Sequence, residues 1–151
     1  MLASIHPLGE RARGQQFSIT VAAYVLGSTL GAVAFGALLG ALGRLVFADA
    51  ALGVRVGILA VGGIAAAIFD GARRRIPSWH RQVNEDWLSA YRGWVYGFGF
   101  GAQLGVGVIT IVTTASVYLT WLAALVVANP AAGAVVGAGF GLARALPVVC
   151  G

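Results

Sequence analysis

The sequence predicts an all-α integral membrane protein, a helical bundle of four transmembrane helices with a short interfacial helix; five spans is the alternative count. Three observations carry this. Apolar residues make up 59% of the 151 positions and charged residues 10%, against roughly 45–50% and about 25% in soluble domains. The charges fall between long uncharged runs, not along them. Glycine occupies 23 positions, which is costly in water-exposed helices but lets membrane helices approach backbone to backbone. So much apolar side chain excludes a disordered chain. The whole of 1–151 reads as a single transmembrane domain.

The first sixteen residues form a polar head, MLASIHPLGERARGQQ, and no charge occurs from Gly14 to Gly43. At about 1.5 Å per residue that run exceeds a hydrocarbon core of about 30 Å, so a first tilted span is expected at about 17–43. It is too long for the apolar region of a signal peptide. A second span is expected at about 51–70, with Arg55 reaching the interface along its own stem.

Residues 71–93 form the expected cytoplasmic loop. It holds Arg73, Arg74, Arg75, Arg81 and Arg92. Pro77 discourages helix before it, and Asn84 followed by Glu85 and Asp86 offers a helix start. Trp87, Leu88, Tyr91, Trp94 and Val95 then share one face, as an interfacial helix requires. From Gly93 to Ala143 no residue is charged, and Asn129-Pro130 is the clear punctuation. The third and fourth spans are therefore expected at about 94–128 and 131–149. The third is too long for one straight crossing, so a bend or unwound stretch is expected between Gly97 and Gly107, where glycines alternate.

The net charge of +5 comes from ten arginines and no lysine. In a soluble protein this would point to nucleic acid; between apolar runs it sets orientation. With four spans, Arg11, Arg13 and the five loop arginines share a side, against Arg44 and Arg55 opposite. That places both termini in the cytoplasm and the protein in the inner membrane. The expected partners are the lipid bilayer and a membrane protein or a second copy of this chain, with no nucleic acid.

No catalytic constellation is present, and the chain is not expected to be an enzyme. His6 and His80 lie in separate polar segments, and Cys150 is the single cysteine. A disulfide framework and a Cys-based metal site are thereby excluded, and neither metal nor cofactor is expected. Gln103, Thr110, Thr114 and Thr120 fall within about forty degrees on a helical wheel. They form a candidate polar stripe, serving either helix packing or a substrate path. Arg144, in the last span, either reaches back to the cytoplasmic interface or pairs with Asp70 inside the membrane.

Three stretches carry a family resemblance: MLASIHPLGERARG with AYVLGSTLGAVAFGALLG, then YGFGFGAQLGVG, then FGLARALPVV. They resemble the transmembrane domain of the cytochrome c biogenesis and thiol–disulfide electron carriers of the CcdA/DsbD type. PLGERARG, RQVNEDWL and ARALPV bring the chain nearer still to a group of actinobacterial multi-span membrane proteins. The resemblance implies a carrier-like fold. The carriers' paired intramembrane cysteines have no counterpart here, so no redox relay is expected of this chain alone. By this resemblance the segment matching their first span is absent, as is a sixth, which reads as a fragment or a shortened paralogue. The preferred expectation is a polytopic protein acting in transport or in a membrane complex. The alternatives are a thiol–disulfide or cytochrome c maturation factor using a partner's cysteines, and a structural membrane subunit.

Overall fold

The structure, a computed structural model, describes residues 14, 16–72, 92–107 and 114–149. These residues form five helices and no strand: α1 (Phe17–Phe47), α2 (Leu52–Gly71), α3 (Gly93–Val106), α4 (Ser116–Val126) and α5 (Pro130–Val149). α1, α2 and α5 are long and apolar enough to cross a membrane. The expected interfacial helix falls largely on residues outside those described.

α1 is the post around which the bundle is built. Its buried positions, Thr20, Tyr24, Gly27, Ser28, Ala32, Gly36, Gly40 and Gly43, recur every three or four residues on one face. That face is small or polar, while Leu26, Leu30, Leu38, Leu42 and Leu45 point outward. The small face lets other backbones touch it. A methyl group at Gly36 would strike the carbonyl oxygen of Gly133, and one at Gly133 the carbonyl oxygen of Gly36. Gly137 likewise lies on Ala32, and Gly141 on Ser28, so α5 runs antiparallel to α1.

α3 follows the opposite sense. Gly97 packs on Thr20, Gly101 on Tyr24 and Gly105 on Ser28, which makes it parallel to α1. α4 continues the same direction, its Leu125 reaching Gly43. α2 is antiparallel to α4: Gly62 meets Leu122 and Leu119, while Asp70 meets Ala115. No residue of α2 is buried.

Local chemistry accounts for the ends. The Arg55 guanidinium donates to the carbonyl oxygens of Phe47 and Ala48, capping the C-terminus of α1, where a cation also suits the helix dipole. The expected reach to the interface is thus a turn back onto the preceding helix. At the start of α5 the side-chain oxygen of Asn129 accepts from the backbone N–H groups of Ala131 (2.9 Å) and Ala132 (3.2 Å). Pro130 sits at the first helical position, where a missing N–H has no consequence.

Among the described residues, the uncharged 94–128 stretch holds two helices. α3 is continuous from Gly93 to Val106 and ends at Gly107, whose φ of 72° is left-handed. Gly107 lies at the C-terminal edge of the window in which the sequence predicts a break. At about 1.5 Å per residue α3 is about 21 Å long and α4 about 16 Å, so neither alone matches a core of about 30 Å.

Candidate functional site at the helix break

The break separates two packing clusters. On one side Tyr24, Tyr96, Phe100, Ala145 and Val148 pack together; on the other, Ala32, Val117, Trp121 and Ala124 do so, with Phe35 and Phe140 against them. Between them the Ser28 hydroxyl donates to the Gly141 carbonyl oxygen at 2.9 Å. Ser28 is fully buried, and this bond ties α1 to α5 at the height where α3 stops.

Helix ends carry partial charges, positive at the N-terminus and negative at the C-terminus. An Asp70 carboxylate oxygen accepts from the Ala115 backbone N–H at 2.8 Å, directly ahead of α4. The carboxylate thus satisfies one of the free amides and complements the dipole there. At the other end, an added Cβ on Gly107 would lie 3.4 Å from Nη1 of Arg144 and 3.0 Å from the Phe140 ring. The guanidinium therefore sits beside the C-terminus of α3, its Cζ 5.6 Å from the Phe140 ring centroid.

The sequence leaves two readings of Arg144 open. The described residues contain no ion pair between Asp70 and Arg144, because each meets a different helix end. Nor does Arg144 reach toward the end of α5. Side chains on a helix lean toward its N-terminus, and Arg144 lies over Phe140, one turn nearer the middle of the bundle.

Among the described residues, the members of the candidate stripe are divided between α3 and the start of α4. Gln103 is on α3, half-buried, and makes no hydrogen bond among the described residues. Thr114 is exposed and its hydroxyl lies 2.6 Å from that of Ser116. Thr120 donates to the Ser116 carbonyl oxygen of its own helix at 2.9 Å. Thr110 lies outside the described residues. A helical wheel assumes one continuous helix, and the end of α3 at Gly107 breaks that assumption.

Sequence reasoning passed over Trp121. It is 5% exposed and stands between Phe35 and Phe140, with ring centroids 4.9 Å away on both sides and interplanar angles of 87° and 65°. Its indole N–H is buried without a hydrogen-bond partner. An indole within an otherwise apolar run was the available signal, since buried tryptophans ordinarily find an acceptor. No group of His, Cys, Asp or Glu suited to a metal occurs among the described residues.

Replacing Asp70 with alanine is expected to free the Ala115 amide and cost about 1–2 kcal/mol, whereas asparagine, which keeps an acceptor, should recover most of it. Thermal unfolding of the three proteins in dodecyl maltoside measures this. Equal losses in both variants would remove the cap.

These features define a class: an all-helical bundle, rich in glycine contacts, with one interrupted helix and a charged side chain at each end of the interruption. Within that class, the chain is similar to proteins named methylamine utilization protein MauF. It is 35% identical over 151 residues to that of Paracoccus versutus, covering 97% of this chain and 55% of that one. To that of Methylophilus methylotrophus it is 31% identical over 151 residues, covering 97% and 53%. To that of Paracoccus denitrificans it is 33% identical over 131 residues, covering 85% and 47%. The chain spans about half the length of the curated relatives it matches. No family model matches it, and no solved structure does.

The relatives overturn the resemblance to CcdA/DsbD-type carriers. They also overturn the expectation of a generic transport or complex-forming carrier, and favour neither the maturation-factor nor the structural-subunit alternative. The physical reason lies in the residues that carried the likeness. Gly97, Gly101 and Gly105 are where α3 touches the α1 backbone, a packing device common to unrelated membrane bundles.

Proposed function

We propose that this chain works in methylamine utilization, embedded in the cell membrane, as a protein of MauF type. The observation that carries this reading is the 35% identity extending over 97% of the chain. The expected result is that disrupting the gene in its host abolishes growth on methylamine and leaves growth on a multi-carbon substrate intact. Wild-type growth on methylamine would defeat the assignment.

The membrane placement is supported by the reversed pattern of α1, with small and polar residues inward and leucines outward. Water would select the opposite arrangement; lipid tolerates this one, because helix association there depends on close backbone packing. Four crossings follow if α3 and α4 together make one interrupted span. The alternating directions of α1, α2, α3–α4 and α5 favour that count, which returns the C-terminus to the side of the N-terminus. The arginine distribution favours the cytoplasm for that side. A cysteine placed at Gln82 should therefore resist an impermeant maleimide added to intact cells and react once the cells are opened. Strong labelling from outside would invert the topology.

A further inference from the structure

α2 is attached to the bundle by a different kind of contact from α1. Every glycine of α1 lies against backbone from another part of the chain, where an added Cβ would strike a carbonyl oxygen. On α2 the Cβ positions of Gly53, Gly57, Gly63 and Gly71 meet nothing within 4 Å. Gly62 is covered, but by the far ends of two side chains, Leu122 at 2.6 Å and Leu119 at 3.6 Å from its added Cβ. No residue of α2 is fully buried. The contact between α2 and α4 can therefore part without dismantling a backbone seam. Beside it lies a cavity of about 530 Å³, with Gly62, Ala65, Ala66 and Phe69 on the α2 wall and Tyr118 and Leu122 on the α4 wall.

Polar contacts near its two ends hold α2 in place. Arg55 donates to the carbonyl oxygens of Phe47 and Ala48, and only residues 48–51 connect the two helices there. At the other end Asp70 accepts from the Ala115 N–H at 2.8 Å. In lipid no hydrophobic force drives helices together, so α2 exchanges its apolar contact with α4 for acyl chains at little cost. A charge-assisted hydrogen bond is directional and is lost outright on parting. Asp70 closes a helix long enough to span the membrane, so its released carboxylate meets interfacial water. We propose that α2 is a hinged strap, with the Arg55 end as the hinge and the Asp70 end as the latch. Release of the Ala115 amide lets α2 swing away from α4 and opens the cavity sideways to the bilayer. The strap rests on the reading of the bundle as membrane-embedded and is independent of its role in methylamine utilization.

The test uses the full chain carrying Cys150→Ser, reconstituted in nanodiscs of phosphatidylcholine and phosphatidylglycerol. Pulsed electron–electron resonance is recorded between spin labels at Ile68→Cys and Leu142→Cys, positions that are 64% and 50% exposed. A second pair, Val56→Cys with Leu142→Cys, reads the hinge end. In Asp70→Ala a longer Ile68–Leu142 component should appear, or its ratio to the short one should rise about tenfold or more, as expected for losing a hydrogen bond to a charged group. The Val56–Leu142 distance should hold. Asp70→Asn, which keeps an acceptor without the charge, should raise the ratio by less. One unchanged Ile68–Leu142 distribution in the parent and both variants would overturn the strap. So would equal lengthening of both pairs, because the bundle would then be loosening as a whole. Should Asp70→Ala fail to purify, Asp70→Asn is read in its place against the same two outcomes. A chain that does not enter nanodiscs overturns the membrane placement, and the strap with it.

Discussion

Valine in place of Gly133 will drive α1 and α5 apart and leave no folded bundle to purify; alanine will lower the unfolding temperature sharply. The backbones meet at this point, and a β-carbon on Gly133 would occupy the position of the Gly36 carbonyl oxygen. Relief requires moving a whole helix, not rotating a side chain, so the upper end of the usual overpacking cost, about 1–3 kcal/mol or more, applies even to one methyl. The effect should repeat at Gly36 and Gly137, which meet backbone in the same way. Gly139, two residues on from Gly137, provides the control, because nothing lies within 4 Å of its added Cβ. Gly139→Ala should be neutral or slightly stabilising, since alanine is the better helix former. Thermal unfolding in detergent separates the two groups. Comparable losses at Gly139 and Gly133 would mean that the seam is not what holds these helices together.

Trp121→Ala is the second large expected loss, about 3–5 kcal/mol. It removes the ring packed edge-on between Phe35 and Phe140, and with it a contact joining α4 to both α1 and α5. Trp121→Phe separates ring from donor. It keeps an aromatic plane between the two phenylalanines and deletes the orphaned N–H, so the lost area is offset by removal of an unsatisfied polar group. Unfolding of the phenylalanine variant should therefore lie close to wild type. An equal collapse of both variants would show that the indole contributes through a hydrogen bond after all.

Much of the architecture is legible in the sequence because charge marks ends. Arg13 and Arg44 bracket the uncharged stretch containing most of α1, and Asn129-Pro130 opens α5 through a cap whose chemistry is local. Glycine repeats likewise reveal seams, though not which helix each seam meets. The break was harder to place. Residues 94–128 carry no charge, so neither hydropathy nor periodicity distinguishes one helix from two, and Gly107 appears as one glycine in a series. The contact made by Asp70 is hidden for the same reason. Its partner is a backbone amide at the start of α4, which is invisible until that start is known, so the sequence offers only a pairing with Arg144 as one alternative. The direction taken by Arg144 also depends on Phe140 and Gly107 being neighbours, a tertiary fact with no sequence signature.

The isolation of α2 bears on the order in which the chain is made. A ribosome releases α2 immediately after α1, yet the surface α2 rests on, α4, is synthesised more than forty residues later. On the proposed membrane placement, α2 therefore waits in the bilayer with only Arg55 turned back onto the end of α1. It is equipped to do so: it is the most apolar of the three long helices, has no fully buried residue, and satisfies its backbone internally as any lone spanning helix must. α3 and α4 are too short to cross alone and can settle only against an α1 already in place. On that placement, insertion would proceed from two self-sufficient helices to two dependent ones, and Asp70, at the end of α2, is already present when the amide it caps emerges.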